Sequence, residues 1–148
     1  MTQNLTDFLN GAKNKEFATR TGTNMHALLQ RVVVDDMRVI GDKNITDIIV
    51  NRPDLKPFFC TNAKTEVPIA ANINGRFISR RIDRLLINHT TKTIDFIDYK
   101  TDTNKNAFLG QYKTQLKEYA TLLHSAYPNY KITGYILWLQ DWTLDKII

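Results

Sequence analysis

The chain has 148 residues, 43% hydrophobic and 24% charged, which is apolar material for one core and not for two independent ones. Lys and Arg number 20 against 15 Asp and Glu, a formal net charge of +5 that favours polyanionic partners without specifying one. The single cysteine, Cys60, excludes an internal disulfide framework, a zinc ribbon and an iron–sulfur cluster held by four thiolates of this chain. No apolar run reaches the roughly 20 residues of a membrane span, and the first residues lack the basic-then-apolar order of a signal peptide, so no membrane contact and a cytoplasmic location are expected.

The segment 1–21 is polar and is expected to be loosely ordered, with one domain over 22–148. Thr23 is a candidate N-cap, and Met25, Leu28, Leu29, Val32 and Val33 follow at helical spacing, which predicts a helix over about residues 24 to 40 with His26 in its first turn. Between residues 45 and 60, Ile45, Ile48, Ile49, Leu55, Phe58 and Phe59 are interrupted by Arg52-Pro53, which predicts two short helices broken before the proline. The pattern then changes to period two: strands are predicted at Glu66–Ile69, Arg76–Ile87 and Thr93–Lys100, the last two forming a hairpin through Asn88–Lys92. Leu109, Tyr112, Leu116, Tyr119, Leu122 and Leu123 mark a long amphipathic helix from about residue 105 to Tyr127, closed by Pro128. Ile132–Leu139 reads as a strand covered on both faces, and Leu144–Ile148 as one more. The fold class expected is mixed α/β.

Charged residues interrupt two of these strands at Arg81-Ile82-Asp83-Arg84 and Ile97-Asp98-Tyr99-Lys100-Thr101. Residues two apart share a strand face, so Asp98 and Lys100 point one way while Ile97 and Tyr99 point the other. A hairpin symmetric about the Thr90–Thr91 bond sets Asp83 directly opposite Asp98. Opposed residues have Cβ atoms about 4.5–5.5 Å apart, so two ionised carboxylates there repel unless a cation lies between them. Hard oxygen ligands that keep several waters suit Mg²⁺ or Mn²⁺, which activates water and neutralises charge on a phosphate. Lys100 adds a cation beside that position; a lysine among carboxylates serves better as a fixed charge than as a base. The alternative is a surface hairpin in which Asp83, Asp98 and Lys100 form ordinary salt bridges.

Gly22 with His26 and Leu29, Glu66-Val67-Pro68-Ile69, Gly75-Arg76, Ile82-Asp83-Arg84, Ile97-Asp98-Tyr99-Lys100-Thr101 and Tyr112-x-x-Gln115-Leu116-x-x-Tyr119 occur in one order along the chain. In this order the sequence resembles the RecB/AddA-type nuclease domains of the PD-(D/E)XK superfamily from about Gly22 to Leu139. The resemblance implies a restriction-endonuclease-like core, a mixed β-sheet flanked by helices, and Mg²⁺- or Mn²⁺-dependent hydrolysis of DNA phosphodiesters in repair or recombination. It implies metal coordination by His26, Asp83 and Asp98, and a catalytic role for Lys100 alongside the two aspartates. Ile82 stands where much of the superfamily has proline.

The remaining candidates each carry two readings. Glu66 assists metal or water from behind the ligands, or simply starts a strand; Arg80, Arg81 and Arg84 contact phosphates, or form a solvated edge. Tyr112, Gln115 and Tyr119 share one helical face, and the resemblance implies that Gln115 and Tyr119 look onto the active site and DNA. Cys60 reads as a small core residue. With neither a nucleotide-binding G-x-x-x-x-G-K-[ST] loop nor a recognition-helix pattern, the expected activity is nuclease without ATP-driven translocation and with low sequence specificity. The implied partners are DNA and helicase or helicase–nuclease subunits. The competing functions are a non-catalytic DNA-binding or scaffolding module derived from such a nuclease, and a protein-interaction domain with merely structural carboxylates.

Overall fold

The computed structural model describes residues 24–148; the polar segment 1–21, Gly22 and the expected N-cap Thr23 lie outside the described residues. Residues 24–30 are helical (α1), so the helix expected to reach residue 40 stops ten residues earlier. The β-branched run Val32-Val33-Val34 favours extended backbone, and Asp35 accepts hydrogen bonds from the Thr61 N–H and hydroxyl, anchoring the chain outside a helix. A small antiparallel ladder forms instead, with β1 (Val33–Val34) paired to β2 (Val39–Ile40). Gly41 follows at φ 125°, tight against Val32, where a side chain would be strained.

The two short helices are present as α2 (Lys43–Val50) and α3 (Lys56–Phe59). Asp42 caps α2 by accepting from the Ile45 N–H, and the helix ends before Pro53. Ile45, Ile49, Phe58 and Phe59 are buried from this pair.

Five strands follow: β3 (Lys64–Ile73), β4 (Arg76–Asn88), β5 (Thr93–Lys100), β6 (Lys131–Trp138) and β7 (Thr143–Lys146), side by side in sequence order. Only β5 and β6 run parallel, which demands a crossover, supplied by α4 (Leu109–Ala126). β3 is longer than Glu66–Ile69 because it pairs with β4 through Asn74-Gly75, whose φ values of 52° and 76° suit a tight hairpin turn. The hairpin register between β4 and β5 is the symmetric one: Asn88 faces Thr93, Leu86 faces Asp95 and Arg84 faces Ile97. α4 begins at Leu109 rather than near residue 105, since Asn104, Lys105 and Asp102 are engaged elsewhere, by the Asn106 N–H, Asp141 and the Tyr112 hydroxyl.

The sheet is covered on both faces. Leu29, Ile49, Phe59, Ile97, Tyr99 and Leu137 form the core under α1–α3, and Ile82, Phe96, Leu116, Leu123, Ile136 and Trp138 form the core under α4. At Gly134 of β6 a Cβ would lie 2.6 Å from the Phe96 ring, so close packing requires glycine there. The fold is therefore mixed α/β, a five-stranded mixed sheet flanked by helices. Among the described residues no helix is long and apolar enough to cross a membrane.

Candidate metal and catalytic site

The chemistry-bearing residues meet where the regular alternation of β4 fails. Ile82 and Leu85, three residues apart, both pack in the core under α4, while Leu86 packs under α1–α3. The β3–β4 ladder pairs Val67 with Ile82 and Thr65 with Arg84, and the Glu66–Asp83 level between them is unpaired. Glu66 there adopts φ 51°, a left-handed conformation that non-glycine residues seldom occupy. This interruption aims Glu66 and Asp83 sideways out of the sheet, toward α1, an arrangement common beside functional sites.

A nitrogen of His26, an oxygen of Glu66 and an oxygen of Asp83 lie within 4.8 Å of one another. His26 Nδ1 is 3.5 Å from Asp83 Oδ1, and the imidazole stands edge-on to the Tyr99 ring at 5.2 Å between centroids. Burial lowers the His26 pKa below its ordinary value, outweighing Asp98 and Glu66, so the ring is neutral near pH 7 with a lone pair to offer. Asp83 and Asp98 are only 8% and 5% exposed. Burial, and next the repulsion of the Asp98 carboxylate, push Asp83 up to about 8, against the Tyr99 N–H that donates to its Oδ2 at 2.8 Å.

Asp98 Oδ2 is buried and receives no directed hydrogen bond from a described residue. Its counter-charge is the Lys100 ammonium, with Nζ at 2.7 Å in a buried ion pair. Lys100 donates to Gln115 Oε1 (3.0 Å), and the Gln115 amide donates onward to the Tyr119 hydroxyl (2.8 Å). The ammonium also lies 4.2 Å from the centre of the Tyr112 ring, whose hydroxyl donates to Asp102 Oδ2 at 2.6 Å. Thus α4 fixes the lysine on the β5 face that alternation assigns to it.

The donor set fits a hard divalent cation. One neutral imidazole and the carboxylates of Glu66, Asp83 and Asp98 meet a single counter-charge, Lys100 at Asp98, so the ionised group carries an excess of negative charge that a divalent cation would offset. His26, Asp83 and Glu66 are the tight group, with Asp98 adjoining Asp83 and leaning toward Lys100. Glu66 therefore belongs with the candidate ligands rather than merely starting a strand, since β3 begins at Lys64.

Arg84 corrects an expectation. It neither contacts phosphate nor forms a solvated edge: it is 1% exposed, and its guanidinium donates to the Tyr99 hydroxyl and to the carbonyls of Phe58, Leu29 and Val32. It also stacks on the Phe59 ring at 3.9 Å. Leu29 and Phe58 lie in the last turns of α1 and α3 and Val32 just beyond α1, so one buried fork serves three backbone acceptors and ties both helices to the sheet behind the site. Arg80 pairs with Glu118 of α4 at 2.8 Å, and Arg81 stays exposed, 3.9 Å from Glu66. Cys60 is half-buried at the end of α3, its thiol directed at the Pro57 carbonyl, rather than a core residue. Asp102, the partner of Tyr112, was not singled out by the sequence, where it follows the Lys100-Thr101 motif without a distinguishing signal. No family model matches the chain, and no curated protein matches it.

Proposed function

We propose that the chain is a Mg²⁺- or Mn²⁺-dependent deoxyribonuclease of the RecB/AddA-like type, hydrolysing DNA phosphodiesters with low sequence specificity. In this reading residues 22–148 are a restriction-endonuclease-like domain, acting in the cytoplasm in repair or recombination beside helicase or helicase–nuclease subunits. The supporting observation is the buried Asp83–Asp98 pair, with His26 and Glu66 grouped on Asp83 and Lys100 Nζ 2.7 Å from Asp98 Oδ2. The order of the six sequence motifs is the second support.

His26, Asp83 and Asp98 would hold the ion, with Glu66 completing the set. When bound, the ion supplies a Lewis acid that polarises the scissile phosphate and lowers the pKa of an attacking water. The protein's own part is positioning. Tyr99 N–H fixes the Asp83 carboxylate, and Gln115 with the Tyr112 ring holds the Lys100 ammonium at the edge of the pair. From there Lys100 orients water and offsets the negative charge that grows on the phosphoryl oxygens in the transition state. No residue is required to form a covalent intermediate, because the nucleophile is water.

End-labelled linear and circular single-stranded DNA, incubated with wild-type and Lys100→Ala protein in Mg²⁺, Mn²⁺ or EDTA, tests the proposal. Metal-dependent cleavage by the wild type that is lost in the variant is expected, and cleavage of the circle marks endonuclease action. Binding of DNA by both proteins without cleavage by either would contradict the proposal and favour the non-catalytic module.

A further inference from the structure

Building on the nuclease reading, we propose that the outer face of the β3–β4 arm is a docking platform for single-stranded DNA, with Phe77 stacking on a base. β4 is 13 residues long, yet only Arg84–Asn88 pair with β5. Residues 67–82 consequently form a two-stranded arm that extends beyond the third strand.

The two faces of this arm differ. One lies against α4: Val67 and Ile69 pack on the α4 core, and Arg80 is paired with Glu118. The other presents the cross-strand pairs Pro68–Arg81, Ala70–Ser79 and Asn72–Phe77, and all six residues are exposed. Pro68, Ala70 and Ser79 are short, so the face is low and open. Phe77 stands at its far end with 68% of its surface in water, where it gains almost nothing from folding.

The charge of the arm is one-sided, since residues 67–82 hold three arginines and no acidic residue. Arg80 is engaged by Glu118 and Arg76, opposite Ile73, belongs to the same α4-side row, whereas Arg81 lies on the outer face with its side chain 70% exposed. Phosphates are the natural partners of such an arginine, and a free base is the natural partner of an exposed ring. Bases of a duplex already stack on one another, so Phe77 would engage them only by wedging a step apart. A single strand offers both features without that cost.

The platform also leads to the carboxylates. Arg81 lies 3.9 Å from Glu66, a member of the His26–Glu66–Asp83 group. Phe77 is six residues along β4 from Asp83, about 20 Å at ~3.3 Å per residue, a span of several nucleotides. Phe77 would thus hold the strand several nucleotides from the bond presented to the site.

Fluorescence anisotropy with labelled oligo-dT and a duplex of equal length, in EDTA so that nothing is cut, tests the platform in wild type, Phe77→Ala, Phe77→Trp and Arg81→Gln. Phe77→Ala is expected to weaken oligo-dT binding by about 5- to 100-fold, the loss of one stacked base, with an unchanged unfolding midpoint and duplex binding within about twofold. Phe77→Trp should restore binding and show indole quenching by the oligonucleotide beyond that of the wild type. Arg81→Gln should flatten the dependence of log affinity on log salt by ~0.7. The proposal is overturned if wild type does not bind oligo-dT, if Phe77→Ala binds it as wild type does, or if the duplex loses as much. Because binding is read without metal, a platform that fails leaves Mn²⁺-dependent cleavage to be scored separately, and the reverse holds too.

Discussion

Replacing Asp83 by Asn should remove most of the pH dependence of stability below pH 8. The Asp83 carboxyl titrates near 3.8 in an unfolded chain and is pushed up to about 8 by burial and by Asp98 in the folded one. Between those values the folded state holds the extra proton, so stability falls as pH rises, at ~1.4 kcal/mol per unit. From pH 4 to pH 7 that is a loss of up to about 4 kcal/mol, a large part of the roughly 5–15 kcal/mol by which domains are stable. Asparagine reproduces the protonated form, and its amide oxygen can still accept from the Tyr99 N–H. Asp95, also raised by burial, is present in both proteins and away from the pair, so the difference between the curves reports the titration of Asp83 together with the groups coupled to it. Urea unfolding in EDTA at pH 5, 6, 7 and 8 is the assay. The variant should gain on the wild type with every step upward in pH; parallel curves would refute the buried, repelling pair.

Arg84→Met should cost at least ~3 kcal/mol in urea unfolding, because the Val32 and Phe58 carbonyls lose their donor and the Leu29 carbonyl keeps only the Val32 N–H, and Arg84→Lys should recover little, since one ammonium cannot replace the fork. Gln115→Met should lower kcat for DNA cleavage by roughly 10- to 100-fold with KM nearly constant, the worth of a hydrogen bond to a charged group that positions Lys100 without touching substrate; an unchanged kcat would remove Gln115 from that role.

Short-range pattern made much of this architecture legible. Period two identified β4 and β5, the symmetric loop at Thr90-Thr91 set the observed register from Asn88–Thr93 to Arg84–Ile97, next to Asp83 and Asp98, and alternation placed Lys100 apart from Ile97 and Tyr99. Where a local rule was overridden, the reading failed. Val32 and Val33 fit a helical stripe, yet α1 ends because Val33 and Val34 pair with β2 and Asp35 is held by Thr61. Asn74-Gly75 closes a tight turn that extends β3 well past Ile69, and this longer hairpin forms the arm. Arg84 shows the deeper limit: nothing in Ile82-Asp83-Arg84 announces that the arginine faces helix-end carbonyls rather than solvent, because its partners lie 26 to 55 residues away. Glu66 likewise joined the candidate ligands only through a backbone twist that strand periodicity does not encode.

The central claim is that the buried carboxylates hold a divalent ion, and calorimetric titration of Mn²⁺ into wild-type and Asp98→Asn proteins at pH 7 in two buffers of different ionisation enthalpy tests it most directly. The account predicts a saturable site in the wild type whose binding releases up to about one proton, as Asp83 gives up the one it holds near pH 7, and at least tenfold weaker binding in the variant. Absence of binding, or equal affinity in the two proteins, would contradict it.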